Sequence, residues 1–178
     1  MKKLSTKQMI YIALFVALIS VMAQISVPGP GGIPFTLQPW GINLAGLILG
    51  PYLGALATII YVILGAVGAP VFAGGNSGFG ILVGPSGGFL WTFPIMAYFS
   101  GLFAQKNIAL SITGVAIGVI IGFAGGVFQL MIHNNLTFAV ALAHGFIPFI
   151  PEAILRITIT PVFAKIINTA LVKSGVTI

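Results

Sequence analysis

Near its C-terminal end the sequence reads PEAILR, and this stretch holds the chain's only acid, Glu152, and its only arginine, Arg156. Four residues apart on a helix, two side chains share a face and come within ion-pairing reach. An ionisable group set among apolar residues needs a partner, so the pair is either a structural ion pair or part of a ligand site. An arginine can also snorkel outward to water. In the functional reading Arg156 meets an anionic ligand group, and Glu152 accepts hydrogen bonds from N–H groups. A single carboxylate rules out paired general acid–base chemistry, and no Ser-His-Asp set exists, so no catalytic residue is assigned and the chain is not read as an enzyme. With no cysteine there is no thiolate site or disulfide. His133 and His144 have no carboxylate nearby, and no metal or cofactor is expected.

The remaining polar candidates are amides: Gln38, Asn43, Asn76, Gln129, Asn134 and Asn135. Gln38 and Asn76 fall in two connecting segments, where an amide either reads a polar ligand or caps a glycine-rich turn. Gln129 sits near the end of an apolar run, where bonding between helices is the alternative use. Phe35, Phe72, Phe79, Trp40, Trp91 and Tyr98 gather around the same half of the chain's apolar segments. Trp and Tyr there suit a membrane interface, whereas Phe35 and Phe79 suit the wall of an apolar pocket. The run GGNSGFG at 74–80 has the glycines of a phosphate cradle, but no Gly-Lys-Ser/Thr follows it. No ATP-binding motif occurs elsewhere, so uphill transport would take its energy from another subunit.

These residues are carried by a chain whose composition names its solvent. Of 178 residues 58% are hydrophobic and only 4% charged, with a mean hydropathy of +1.17. A soluble domain covers its surface with about a quarter charged residues. Seven basic residues and one acid cannot do so here, and the lipid bilayer is the expected surroundings. The excess positive charge does not form a phosphate-binding stripe, and nucleic acid is not an expected partner. Lys2, Lys3 and Lys7 precede the first apolar run, Lys106 interrupts the chain, and Lys165 and Lys173 lie near its end. The N-terminus has a superficial likeness to a signal peptide, but no small-residue cleavage site follows and it is read as a membrane helix.

A membrane helix needs roughly 20 mainly apolar residues, and proline, glycine and polar breaks divide the chain into six: about 7–25, 39–49, 52–68, 88–105, 108–132 and 148–172. Lysine placement puts both termini in the cytoplasm, with the Gly-Pro-Tyr turn at 50–52 and Lys106. The long connections 26–38, 69–87 and 133–147 then face outward, and none carries Lys or Arg. The second segment rises only about 16 Å, against about 30 Å of hydrocarbon. The first connection must therefore dip into the protein, which irregular backbone tolerates only beside a cavity or buried in protein. A cavity near the outer face follows, lined by the first connection. The 69–87 segment, which nearly coincides with PVFAGGNSGFGILVGPSGG at 70–88, is placed to cover it. Within the first helix ALFVA sets Ala13 and Ala17 on one face, a small-residue pattern that lets helices approach closely. The fold class is thus an all-α integral membrane protein of one domain, residues 1–178, with six spans and long outer loops.

The segments PFTLQ, LGPYLGALATIIYVILGAVGAPVFAGG, GPSGGFLWTFP and PFIP, in this order and spacing, resemble the BioY family. These are biotin-binding S-components of energy-coupling factor (ECF) transporters. The likeness runs from about Lys7 to the end, and its stretch from Pro34 to Pro94 is specific to that family among S-components. It implies high-affinity capture of biotin at the outer face of a prokaryotic plasma membrane. It implies as partners a transmembrane coupling subunit and two cytoplasmic ATPase subunits, which alone bind ATP. It also gives Ala13 and Ala17 the role of docking on the coupling subunit. Phe35, Gln38, Asn76, Phe79, Trp91, Gln129, Glu152 and Arg156 become the expected biotin site. Loop amides and Glu152 would serve the ureido group and Arg156 the carboxylate, or the reverse. The family usually opens its last helix with Pro-Gly-Asp-Leu-Ile-Lys. Aligned on Pro151, this chain keeps a cation at Arg156 but has Ala153 in place of the acid, with Glu152 one residue earlier, about 100° around the helix. An S-component for another vitamin is the rival within this class. A self-contained secondary carrier or channel is the rival outside it, and the inverted repeats that mark many carriers are not evident.

Overall fold

The computed structural model describes residues 4–104 and 107–175. Lys2, Lys3, Gln105 and Lys106, to which the reading above gives a place, lie outside the described residues. The architecture is helical: α1 Thr6–Gln24, α2 Gln38–Leu49, α3 Pro51–Ala66, α4 Phe79–Val83, α5 Gly87–Leu102, α6 Ile108–His133, α7 Phe138–Gly145 and α8 Ile150–Lys173. Two short strands, β1 Ser26–Val27 and β2 Phe35–Thr36, pair antiparallel with Val27 opposite Phe35.

Local chemistry accounts for most boundaries. Ser5 and Gln8 form a reciprocal cap on α1: Gln8 N–H donates to Ser5 Oγ at 3.2 Å and Ser5 N–H to Gln8 Oε1 at 3.1 Å. Asn107 accepts from Leu110 N–H at 2.8 Å to open α6. Pro39 lies in the first turn of α2 and Pro51 in that of α3, where a missing N–H costs nothing. Between α2 and α3 the chain reverses on Gly50, whose φ of 82° suits glycine.

Among the described residues three helical stretches are long and apolar enough to cross a membrane: Thr6–Gln24, Ile108–His133 and the nearly continuous Phe138–Lys173. Large apolar side chains stand exposed along α1 (Leu14, Val21) and α8 (Ile154, Phe163, Ile166). That is the surface of a protein whose solvent is hydrocarbon. The connections are more ordered than their glycine and proline content suggests. The first contains the β-hairpin, the second α4 and the third α7, elements of two to eight residues. They are too short for hydrophobic periodicity to reveal.

Apolar burial alone does not drive helices together in lipid, so close packing must do it. The structure meets this with glycine. On α6, Gly114, Gly118 and Gly122 recur every four residues against α5. A side-chain carbon at Gly114 would come 2.7 Å from the Phe99 carbonyl oxygen, and one at Gly118 would come 3.0 Å from that of Met96. From α5, Gly88 answers: a carbon there would lie 2.7 Å from the Gly125 carbonyl carbon and 2.8 Å from Gln129 Cβ. A second junction joins α2, α3 and α5, where a carbon on Gly54 would meet Gly46 Cα at 2.7 Å. Gly88→Val is expected to lower stability by about 1–3 kcal/mol through overpacking. Thermal unfolding of the detergent-purified variant checks this, and an unchanged midpoint would contradict the close approach.

Candidate functional site

The bundle is not packed to the end at which α2 and α8 begin. A cavity of about 290 Å³ remains there, at the lower edge of the roughly 300–1,000 Å³ typical of small-molecule sites. Helix α5 contributes Phe89, Leu90, Phe93 and Met96 to its wall, and α6 contributes Val119, Gly122 and Phe123. The hairpin brings Ile33, Pro34, Phe35 and Thr36 across the opening, held by Leu37 N–H donating to the Ile25 carbonyl at 3.3 Å. Phe35 stacks on Phe149, ring centres 4.2 Å apart, and Phe123 packs edge-on against Phe146 at 5.0 Å. Phe72, Ala73, Ile81 and Ser86 of the glycine-rich segment complete the lining. Beyond them lies a more open vestibule of about 530 Å³ between the first two connections, sharing Pro34, Phe72, Ala73, Ile81 and Ser86 with the cavity.

Few polar side chains line this apolar chamber: Thr36, Gln38, Ser86, Glu152 and Arg156. Arg156 is 3% exposed. Its Nε stands 3.0 Å from Glu152 Oε1, the predicted i, i+4 ion pair. The contact lacks hydrogen-bond alignment, and Arg156 Nε, Arg156 Nη1 and Glu152 Oε1 are all buried without a hydrogen-bond partner. The indole N–H of Trp40 faces the same carboxylate but falls short of hydrogen-bond geometry. Buried donors left open are costly. A guanidinium left incomplete at the wall of a cavity is chemically ready for an oxygen from a ligand.

Of the residues singled out from the sequence, Phe35, Gln38, Glu152 and Arg156 come together around the cavity. Gln38 is the first residue of α2 and not part of the preceding connection. It is buried, and its Nε2 donates to Tyr61 OH at 2.7 Å. Asn76 lines the vestibule, with its amide donating to the Ala73 carbonyl at 2.7 Å in a local turn. Three others stand apart from the cavity lining. Phe79 is 59% exposed on α4 and Trp91 51% exposed on α5. Gln129 is turned to α4, donating to the carbonyls of Leu82 at 2.9 Å and Gly84 at 2.8 Å. Trp91 Nε1 also donates to Leu82, at 3.0 Å. Together these two side chains brace the glycine-rich segment against α5 and α6.

Further placements follow from tertiary packing. Tyr98 does not join the other aromatics; it meets Tyr52, ring centres 5.7 Å apart, next to the α2–α3 turn. Asn43 is fully buried and accepts from Ser100 Oγ at 3.0 Å. Asn135 takes a left-handed turn conformation with φ 51°. Among the described residues no three His, Cys, Asp or Glu side chains converge. Ala13 and Ala17 are both exposed on α1, on the side away from its buried Ile12, Phe15, Val16 and Ile19. The residues that sequence reasoning passed over are Tyr61, Phe93, Met96, Phe123 and Phe149. Only Tyr61 carried a signal, a polar hydroxyl inside an apolar span.

Comparison with known proteins agrees across three levels. The model of a family described as the BioY family matches residues 1–173. A protein of Pyrococcus horikoshii named "Probable biotin transporter BioY" is 39% identical, covering 91% of this chain and 96% of its own length. The biotin transporter BioY of Thermotoga maritima is also 39% identical, covering 89% of this chain and 94% of its own. Among solved structures, the S-component for biotin from an ECF-type ABC transporter superposes with a TM-score of 0.83. It is 27% identical and covers 94% of this chain and 95% of its own.

Proposed function

The chain belongs to the BioY family, and we propose that it captures biotin as the S-component of an ECF importer. One observation carries this reading: a mainly apolar cavity of about 290 Å³ whose lining includes a buried and incompletely bonded Arg156. Biotin combines an apolar fused ring and alkyl chain with two polar termini, a ureido group and a carboxylate. Apolar walls with a few placed polar groups suit that shape. Arg156 supplies N–H donors to a ligand oxygen, while Glu152 and Gln38 supply acceptors to ligand N–H groups.

In this proposal the polypeptide crosses the plasma membrane six times with both termini inside, and the cavity opens outward through the vestibule. The short α2 supports that placement. Its 12 residues rise about 18 Å, and the hairpin and cavity occupy the depth it leaves. Delivery requires a transmembrane coupling subunit and two ATPases; this chain binds no ATP and needs no cofactor of its own. Ala13 and Ala17, exposed on α1, form the docking face.

Titration of the purified chain with biotin tests the core of the reading. Saturable binding at or below micromolar biotin is expected. No detectable binding at that concentration would sink it, and preferential binding of a different vitamin would keep the class but change the substrate. Uptake by the chain alone, without an ATPase, would favour a secondary carrier.

A further inference from the structure

Gln38 and Tyr61 form a relay whose direction can be worked out from its donors and acceptors. Tyr61, in the C-terminal half of α3, is fully buried. Its hydroxyl oxygen lies 2.8 Å from the carbonyl oxygen of Val71 and 2.7 Å from the side-chain amide of Gln38. A phenol has one proton and a backbone carbonyl only accepts, so that proton goes to Val71. The Tyr61 oxygen then has only lone pairs for Gln38, and the amide atom facing it must be the donor, Nε2. The two ends of a glutamine amide are nearly equal in shape and exchange by rotation. Here the relay removes that freedom.

The other end of the amide is Oε1. Among the described residues it accepts no hydrogen bond, and it keeps some accessible surface. The open space that Gln38 borders is the cavity. We propose that Tyr61 is a positioning residue that sets specificity. By locking the Gln38 amide, it presents an acceptor to the cavity and selects a ligand with an N–H at that point over one with an oxygen there. This rests on the biotin reading and deepens it: the N–H is one of the two in the ureido ring.

The lock spans three elements. It ties α2 to α3, and through Val71 it ties both to the glycine-rich segment. Phe72, next in sequence, packs edge-on against the Tyr61 ring with centres 5.7 Å apart. The acceptor is therefore set correctly only while that segment is seated.

The test compares biotin with its two cyclic-carbamate analogues, each having one ureido N–H replaced by oxygen. The wild-type protein is expected to bind biotin at least about tenfold more tightly than one of the two, because oxygen would then face oxygen. Tyr61→Phe frees the amide to turn its NH₂ toward the ligand, so this discrimination falls toward parity. Gln38→Met, close in shape and without the acceptor, is expected to lose it as well. If folded Tyr61→Phe weakens biotin and carbamate alike and keeps the wild-type ratio, Tyr61 is only structural and the proposal fails. It fails equally if Gln38→Met keeps the ratio, or if the wild type binds biotin but ranks both carbamates with it. Absence of biotin binding by the wild type overturns the functional reading itself, and is thereby distinguished from the other failures.

Discussion

Replacing Arg156 by alanine is expected to weaken biotin binding by one to two orders of magnitude. A hydrogen bond to a charged group contributes about 1.5–3 kcal/mol, and each 1.4 kcal/mol is about tenfold in affinity. Arg156 is the strongest donor on the cavity wall: 3% exposed, with Nη1 buried and unpartnered. Among the described residues no other cation lines the cavity. Removing it has a second consequence, because the Glu152 carboxylate beside it loses its counter-charge. Breaking a buried pair from one side costs about 3–5 kcal/mol, and less is expected here because the Glu152 side chain is 27% exposed.

Binding and stability must therefore be separated. The double variant Arg156→Met, Glu152→Gln removes both charges and should recover much of the thermal stability lost by Arg156→Ala, without recovering biotin affinity. Arg156→Lys keeps a charge but not the planar fork, and an intermediate affinity is expected. Calorimetric titration reads all three. Unchanged affinity in a folded Arg156→Ala protein would remove Arg156 from the site.

The second large effect concerns transport and not binding. Bulky residues at both Ala13 and Ala17, for example Ala13→Trp with Ala17→Trp, should leave biotin affinity within about twofold yet bring uptake in the complete transporter down to background. One helical turn apart, these alanines lie on the exposed side of α1, while Ile12, Phe15, Val16 and Ile19 face the protein. Small residues at that spacing let a partner helix approach closely, and large ones hold it off. The cavity lies among other elements, and α1 itself contributes no residue to its lining. Loss of biotin binding in the double variant would show that the alanines serve the fold and not docking.

How far the sequence could be read depended on the range of the interactions involved. Helix bounds came close because their causes are local. The second predicted segment, 39–49, is α2 Gln38–Leu49, and the fifth, 108–132, is α6 Ile108–His133. The Glu152–Arg156 pair was equally legible, since four residues of helix place two side chains together whatever surrounds them. The family likeness was legible through turn residues at fixed spacings, and the comparisons bear it out. Glycine carries a further signal: Gly114, Gly118 and Gly122 recur every four residues and mark the face of α6 that meets α5.

What the sequence by itself determined is a lipid-facing helical chain with one acid and one arginine four residues apart and one small-residue face on its first helix. Composition, hydrophobic length and the i, i+4 interval are all properties of neighbours along the chain. Only the tertiary structure decided which polar groups meet the cavity. Gln38 and Gln129 are alike in sequence, each an amide at the edge of an apolar helix. One is locked by Tyr61 from another helix and borders the cavity, while the other is spent on two carbonyls of the glycine-rich segment. Those partners lie 23 to 47 residues away, and only the mutual rotation of packed helices determines which partner each amide finds.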